Sequence, residues 1–87
     1  DTFLADGAER IGEIRAAVAG GQADAAQRIA QTFKGMCGLV GADALGKLSA
    51  LVEADARLKR VTQAERYLDY LDREFERVRQ ALAAARG

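Results

Sequence analysis

The 87-residue chain carries 13 basic and 13 acidic side chains, a single cysteine, and neither histidine nor proline. A balanced net charge argues against a nucleic-acid-binding protein, which would show a basic excess. One cysteine without histidine excludes an internal disulfide and a four-ligand zinc site. No apolar run approaches the roughly 20 residues that span a bilayer, so no direct membrane insertion is expected. We expect residues 1–87 to form one domain, part of a longer protein, in a reducing, cytoplasmic compartment.

Four segments place apolar residues three or four positions apart, which is typical of one buried face on a helix. The predicted helices cover residues 2–19, 23–40, 43–58 and 61–85. Glycines mark the first two helix ends, at Gly20-Gly21 and at Gly41. The predicted buried positions are Leu4, Ala8, Ile11, Ile14, Val18, Ala26, Ile29, Ala30, Phe33, Met36, Cys37, Val40, Leu45, Leu48, Leu51, Val52, Leu58, Ala64, Leu68, Leu71, Phe75, Val78, Leu82 and Ala85. Because the connections are short, the predicted fold is an all-α, antiparallel up-down-up-down four-helix bundle.

The fourth helix has the most regular pattern. Thr62 and Glu65 have the spacing of a capping box, with Thr62 as the N-cap. The heptad spacing of its apolar residues suits the core of a bundle and also suits pairing with a second chain. We favour packing within one chain, and therefore a monomer over a dimer formed through this helix. Its charged residues alternate in sign, which indicates a solvated, salt-bridged surface rather than a metal site.

The second helix presents a polar face opposite its apolar one. With Phe33 at the centre of the buried side, Gln31 points about 160° away at 100° per residue, towards solvent. Lys34 lies on the flank of the helix, one turn from Gln31. The other predicted members of this outer face are Asp24, Gln27, Arg28, Gly35 and Gly38.

Gly35 and Gly38 are costly in a helix interior, where each glycine loses about 1 kcal/mol relative to alanine. Glycine at such positions commonly serves close packing against a neighbouring helix. Both residues are predicted on the outer side, so we favour a surface cleared of side chains for a docking partner. Cys37 falls on the Phe33 side and is predicted to be a core residue rather than a reactive thiol.

The run Ala30-Gln31-Thr32-Phe33-Lys34-Gly35, followed by Gly38, Gly41-Ala42 and Leu45, resembles the signature of the histidine phosphotransfer (HPt) domain family. That signature is an Ala-His pair, a spacer, an apolar residue, Lys-Gly, and a Gly-Ala pair further on. Every element is present except the histidine, whose position is held by Gln31. The resemblance implies a helical relay module of multistep two-component signalling, belonging to a protein such as a hybrid sensor histidine kinase, which can be membrane-anchored.

The resemblance also implies roles for individual residues. Position 31 would be the phosphoacceptor, and Lys34 would stabilise the phosphoryl oxygens. The docking surface for response-regulator receiver domains would consist of Gln27, Arg28, Gln31, Lys34, Gly35 and Gly38. The receiver would bring the aspartate and Mg²⁺, so neither a cofactor nor a metal is expected on this chain. The chain would carry a phosphoryl group and would not be an enzyme on its own.

Gln31 cannot accept the phosphoryl group, because the lone pair of its amide nitrogen is delocalised into the carbonyl. It can still donate and accept hydrogen bonds. The glutamine is either a substitution introduced to block phosphorylation or the natural residue of a degenerate module that binds receivers without transfer; the intact remainder of the motif favours the first. A structural or adaptor bundle that does not bind receivers is the remaining alternative. Asp43 and Glu53, in the third helix, are assigned no role.

Overall fold

The computed structural model describes residues 2–86, which form four helices and, within that range, no strand. The first three helices are α1 (Thr2–Ala19), α2 (Ala23–Val40) and α3 (Asp43–Arg57). The fourth helix consists of α4 (Val61–Ala64), a 3₁₀ turn (Glu65–Tyr67) and α5 (Leu68–Arg86). Successive helices are joined by two or three residues and run antiparallel, so the predicted up-down-up-down bundle is confirmed.

A left-handed residue ends each of the first three helices. Gly21 and Gly41 have φ of 69° and 73°, a conformation that costs glycine nothing, and they confirm the two predicted glycine stops. The third stop uses Lys59, with φ of 62°, which is a strained conformation for a residue with a side chain. At each stop a backbone N–H donates to the carbonyl five residues earlier, in the pairs Gln22 to Ala17, Ala42 to Cys37 and Arg60 to Asp55.

An aromatic cluster ties α1 to α2 and α5. The Phe3 ring stacks on Phe33, with centroids 6.3 Å apart and planes 11° from parallel. Phe75 lies at the same centroid distance from Phe3, tilted by 47°. Phe33 is fully buried, as its place at the centre of the predicted core face requires. The cluster therefore fixes the side of α2 that faces the core, and with it the side that faces solvent.

The predicted core of α1 needs a correction of register. Ala8 is exposed and Leu4 only half-buried, whereas Phe3 and Gly7 are buried. A Cβ at Gly7 would lie 2.7 Å from Cε1 of Phe75, so the missing side chain makes room for that ring. In the first two turns of α1 the buried face is thus shifted by one residue, from Leu4 and Ala8 to Phe3 and Gly7. The shift arises because the aromatic cluster determines which side of the helix faces inwards.

Four further residues predicted to be buried are exposed, for reasons of position. Val40 ends α2 and Leu58 caps α3, so neighbouring helices cover each of them only in part. Leu51 lies 100° round α3 from the buried Val52, at the edge of the packed face. Ala85 falls in the last turn of α5.

The capping box predicted at the start of the fourth helix is also wrong. The helix begins at Val61, and no side chain caps it. Thr62 therefore lies inside the first turn, where its hydroxyl cannot act as an N-cap. Val61, the first residue of the helix, packs on the core.

The helices pack as a square in which α2 lies between α1 and α3. The fourth helix contacts the other sides of α1 and α3, which places α2 and α5 on a diagonal of the bundle. Their outward-facing surfaces consequently point to opposite sides of the molecule.

Candidate functional site

The outer face of α2 is open to solvent over most of its length. Gln31 is exposed and lies on the opposite side of the helix from Phe33, where the apolar periodicity predicts it. The other positions predicted on this face are exposed as well, except for the half-buried Gln27: they are Asp24, Arg28, Gly35 and Gly38. The structure therefore brings the predicted surface residues together on one helix face.

Gly35 and Gly38 do not serve packing within the bundle. A Cβ built on either residue would meet no heavy atom of the described chain within 4 Å, outside its own neighbours in the helix. Close helix packing would leave such a Cβ in contact, as it does at Gly7. The two glycines thus leave an unobstructed surface, beginning one turn after Gln31.

Lys34 sits at the edge between α2 and α3, where it contacts a residue that the sequence did not single out. Its Nζ donates a hydrogen bond to Oε1 of Glu53 at 3.0 Å. The Glu53 side chain is only 9% exposed, against 44% for Lys34. A nearly buried carboxylate is costly unless it is paired, so the ammonium group stabilises Glu53 as much as Glu53 positions Lys34.

Sequence reasoning missed Glu53, although one signal was present. It is a carboxylate 100° round α3 from Val52, at the border of an otherwise apolar face. A charged residue at such a border commonly has a partner on the neighbouring helix. Which lysine it meets depends on the offset between α2 and α3 along their axes, which the spacing within either helix does not give.

A shallow groove between α2 and α3 adjoins this pair. Its volume is about 340 Å³, and it is bordered mostly by small residues. The lining residues are Lys34, Gly38, Ala42, Asp43, Gly46, Lys47 and Ala50. The groove extends the open surface of α2 towards α3, and the Lys34 ammonium lies at its side.

The remaining nucleophilic side chains of this region are occupied or buried. Thr32 donates its hydroxyl to the Arg28 carbonyl one turn earlier, at 3.1 Å. Ser49 is fully buried, and its hydroxyl has no hydrogen-bond partner among the described residues. Cys37 is fully buried, which confirms its prediction as a core residue, and burial raises the pKa of its thiol to about 11. Burial therefore keeps Ser49 and Cys37 from a docked partner, and Thr32 is hydrogen-bonded to its own helix.

The charged face of α5 is held by ion pairs, as predicted. Arg77 donates to Glu74 at 3.0 Å, and Arg79 donates to Glu76 at 2.6 Å. These hydrogen bonds lower the pKa of both glutamates. Over the described range, no three histidine, cysteine, aspartate or glutamate side chains are grouped closely enough to hold a metal ion.

Comparison with known proteins assigns the chain to a family. The family model for the Hpt domain matches residues 1–81. Among solved structures, the chain is similar to the crystal structure of histidine-containing phosphotransfer protein B (HptB) from Pseudomonas aeruginosa PAO1, with 32% sequence identity and a TM-score of 0.95. That match covers 99% of this chain and 75% of the HptB chain. A search of curated proteins found no match.

No helix in the part of the chain that the structure describes is both long enough and apolar enough to cross a membrane.

The fold, the motif on α2, the family model and the likeness to HptB agree with one another. This chain belongs to the Hpt domain family, the phosphotransfer modules of phosphorelay signalling.

Proposed function

We propose that this chain docks response-regulator receiver domains through the outer face of α2, and that residue 31 occupies the phosphoacceptor position. The observation that carries the proposal is the open surface at Gly35 and Gly38, beside the exposed Gln31. Two glycines in a helix interior lower its stability. Since they relieve no contact within the bundle, a partner that approaches the helix closely accounts for them best.

Phosphoryl transfer needs such an approach. The attacking and leaving atoms must lie nearly in line, and most of the rate enhancement comes from positioning and from stabilising the charge. A receiver aspartate can reach position 31 only if the following turns of α2 leave room for the rim of its active site. Side chains larger than glycine at residues 35 and 38 would occupy that space.

Lys34 would supply positive charge at this surface. Residues three apart on a helix are neighbours, so the Lys34 side chain leaves α2 one turn from residue 31, on the side towards Glu53 of α3. A lysine ammonium has three donors, and Glu53 accepts from one of them. The other two remain to neutralise phosphoryl oxygens in transit. We assign Mg²⁺ to the receiver rather than to this chain.

Glutamine at position 31 separates binding from transfer. An amide nitrogen does not attack phosphorus near neutral pH, so the chain with this sequence binds receivers without becoming phosphorylated. This holds whether the glutamine is natural or introduced. We further place the chain in the cytoplasm, with a hybrid histidine kinase as its parent protein or partner.

Titration of the ¹⁵N-labelled chain with a panel of Mg²⁺-loaded receiver domains tests the docking surface. At least one receiver should shift the amide resonances of Gln27, Arg28, Gln31, Lys34, Gly35 and Gly38. Gly38→Leu should weaken that binding about tenfold or more, because a bulky side chain would then stand in the interface. Gly12→Leu is the matched control, since Gly12 is an exposed glycine of α1 whose Cβ would also meet open space. Docking through α2 is wrong if no receiver binds, or if the shifts are confined to α5.

A further inference from the structure

One large apolar side chain of α2 stands almost entirely in solvent. Leu39 is 88% exposed, and no other large apolar side chain that the structure describes is more than 58% exposed. Single exposed leucines are common on protein surfaces, so exposure alone assigns Leu39 no role. Its position relative to the candidate site does.

Leu39 lies on the outer half of α2, together with Gln31. At 100° per residue it lies about 120° round the helix from the buried Phe33 and about 80° from Gln31, roughly 12 Å further along the axis. Lys34 leaves the helix on the opposite flank, towards Glu53 of α3. The outer face of α2 is therefore bordered by a cation on one flank and by an apolar side chain on the other.

Gly35 leaves Leu39 uncovered within its own helix. Residues four apart lie on one side of a helix, and helical side chains lean towards the N-terminus, so Leu39 points towards the turn that begins at Gly35. Gly35 has no side chain to cover it, and a Cβ built there would meet open space. A partner surface that comes into contact with Gly35 must therefore also meet Leu39, one turn away.

We propose that Leu39 is the apolar anchor of the receiver-docking surface, and that it selects receivers with an apolar side chain opposite it. This inference rests on the proposed docking of receivers through α2. Because the receiver aspartate would reach position 31, the apolar side chain of the receiver would lie about 12 Å from that aspartate along the direction of α2. A charged side chain at that place would lose its hydration without gaining a partner, so receivers that carry one would bind weakly.

Titration of a Leu39→Ala variant with a receiver that binds the parent chain tests the inference. The Kd should rise about tenfold, because the variant loses most of the apolar surface that the receiver would cover. The matched control is Leu51→Ala, which removes the same atoms from an exposed leucine about 160° round α3 from Glu53, and thus from the side away from Lys34. This control should leave the Kd unchanged. Circular dichroism verifies that both variants are folded.

Two further variants separate apolar character from size. Leu39→Met keeps an apolar side chain of similar volume, so the Kd should stay within about twofold of that of the parent chain. Leu39→Asn places an amide where the receiver is apolar, and burial of that amide without a partner should raise the Kd about tenfold or more.

Three results would overturn the inference while leaving docking through α2 intact, provided that the receiver still shifts the α2 amide resonances of the parent chain. These results are an unchanged Kd in Leu39→Ala, equal losses in Leu39→Ala and Leu51→Ala, and equal Kd values for the methionine and asparagine variants. Absence of binding by every receiver of the panel would instead overturn the docking function, and this inference with it.

Discussion

Replacing Gly35 and Gly38 by alanine should stabilise the domain and weaken its binding to receivers. A Cβ at either position meets no atom within 4 Å, so the substitution gains helix propensity without a clash. The gain is about 1 kcal/mol at Gly35 and about 0.5 kcal/mol at Gly38, which lies in the last turn of α2. A total of about 1.5 kcal/mol corresponds to a rise in Tm of about 6–12 °C for a domain of this size.

Two other glycines serve as matched controls for this prediction. Gly12 is helical and exposed with open space around it, so Gly12→Ala should raise stability by about 1 kcal/mol and leave receiver binding unchanged. Gly7→Ala should lower the stability instead, because its Cβ would lie 2.7 Å from Cε1 of Phe75 and 3.3 Å from the Phe33 ring. Overpacking of that kind costs about 1–3 kcal/mol, more than the propensity gain.

Urea and thermal denaturation measure the change in stability, and titration with a receiver that binds the parent chain measures the change in receiver binding. The alanine pair at residues 35 and 38 should weaken receiver binding about fivefold or more, because two methyl groups would enter the interface. Loss of stability in the pair would show that these glycines serve packing within the bundle. Unchanged receiver binding would show that the partner does not approach α2 at these residues.

Four further outcomes follow from individual side chains. Lys34→Ala should cost about 1–2 kcal/mol in urea denaturation, because it leaves Glu53 nearly buried without a partner, and adding Glu53→Gln should recover most of that loss; additive losses would contradict the pairing. Lys59→Gly should stabilise the fold by about 0.5–1 kcal/mol, since it relieves a φ of 62° and gives up only an exposed ion pair, whereas Lys59→Ala should not stabilise it. Ser49→Ala should leave the free energy of unfolding unchanged or raise it by up to about 1 kcal/mol, because it removes a buried hydroxyl without a partner. A fall in the free energy of unfolding of about 1 kcal/mol or more would instead reveal a hydrogen bond made by this hydroxyl. Burial raises the pKa of Cys37 from 9.0 to about 11, so the folded state holds this proton more tightly than the unfolded state does. The stability that this thiol contributes should be fully present below pH 9 and should be lost between pH 9 and 11. Cys37→Ala should show a smaller fall in stability over that range, and an equal fall would contradict the assignment.

The helix ends show what local chemistry can predict. Gly20-Gly21 and Gly41 adopt the left-handed stops that glycine favours, so these two boundaries agree with prediction. The third stop is predicted one residue late, at Leu58, because Lys59 adopts the same conformation without the residue type that signals it. A strained residue of this kind is imposed by the packing of the helices on either side.

The candidate site was predictable where it depends on one helix and not where it depends on two. The exposure of Gln31, Gly35 and Gly38 follows from the position of Phe33 in the core, which the apolar spacing identifies. The contact between Lys34 and Glu53 depends on how far α2 and α3 are offset along their axes. Interhelical packing of side chains sets that offset, and the apolar periodicity within each helix does not predict it.

Phosphoryl transfer to a Gln31→His variant tests the central claim most directly. The variant and the unchanged chain are each mixed with a ³²P-phosphorylated receiver that has been shown to bind both, in the presence of Mg²⁺. An imidazole nitrogen would form the bond to phosphorus as the bond from phosphorus to the aspartate oxygen breaks. The account predicts acid-labile, base-stable label on the Gln31→His variant alone. Label on neither chain would show that residue 31 is not the phosphoacceptor position, and label on the unchanged chain would show that another residue accepts the phosphoryl group.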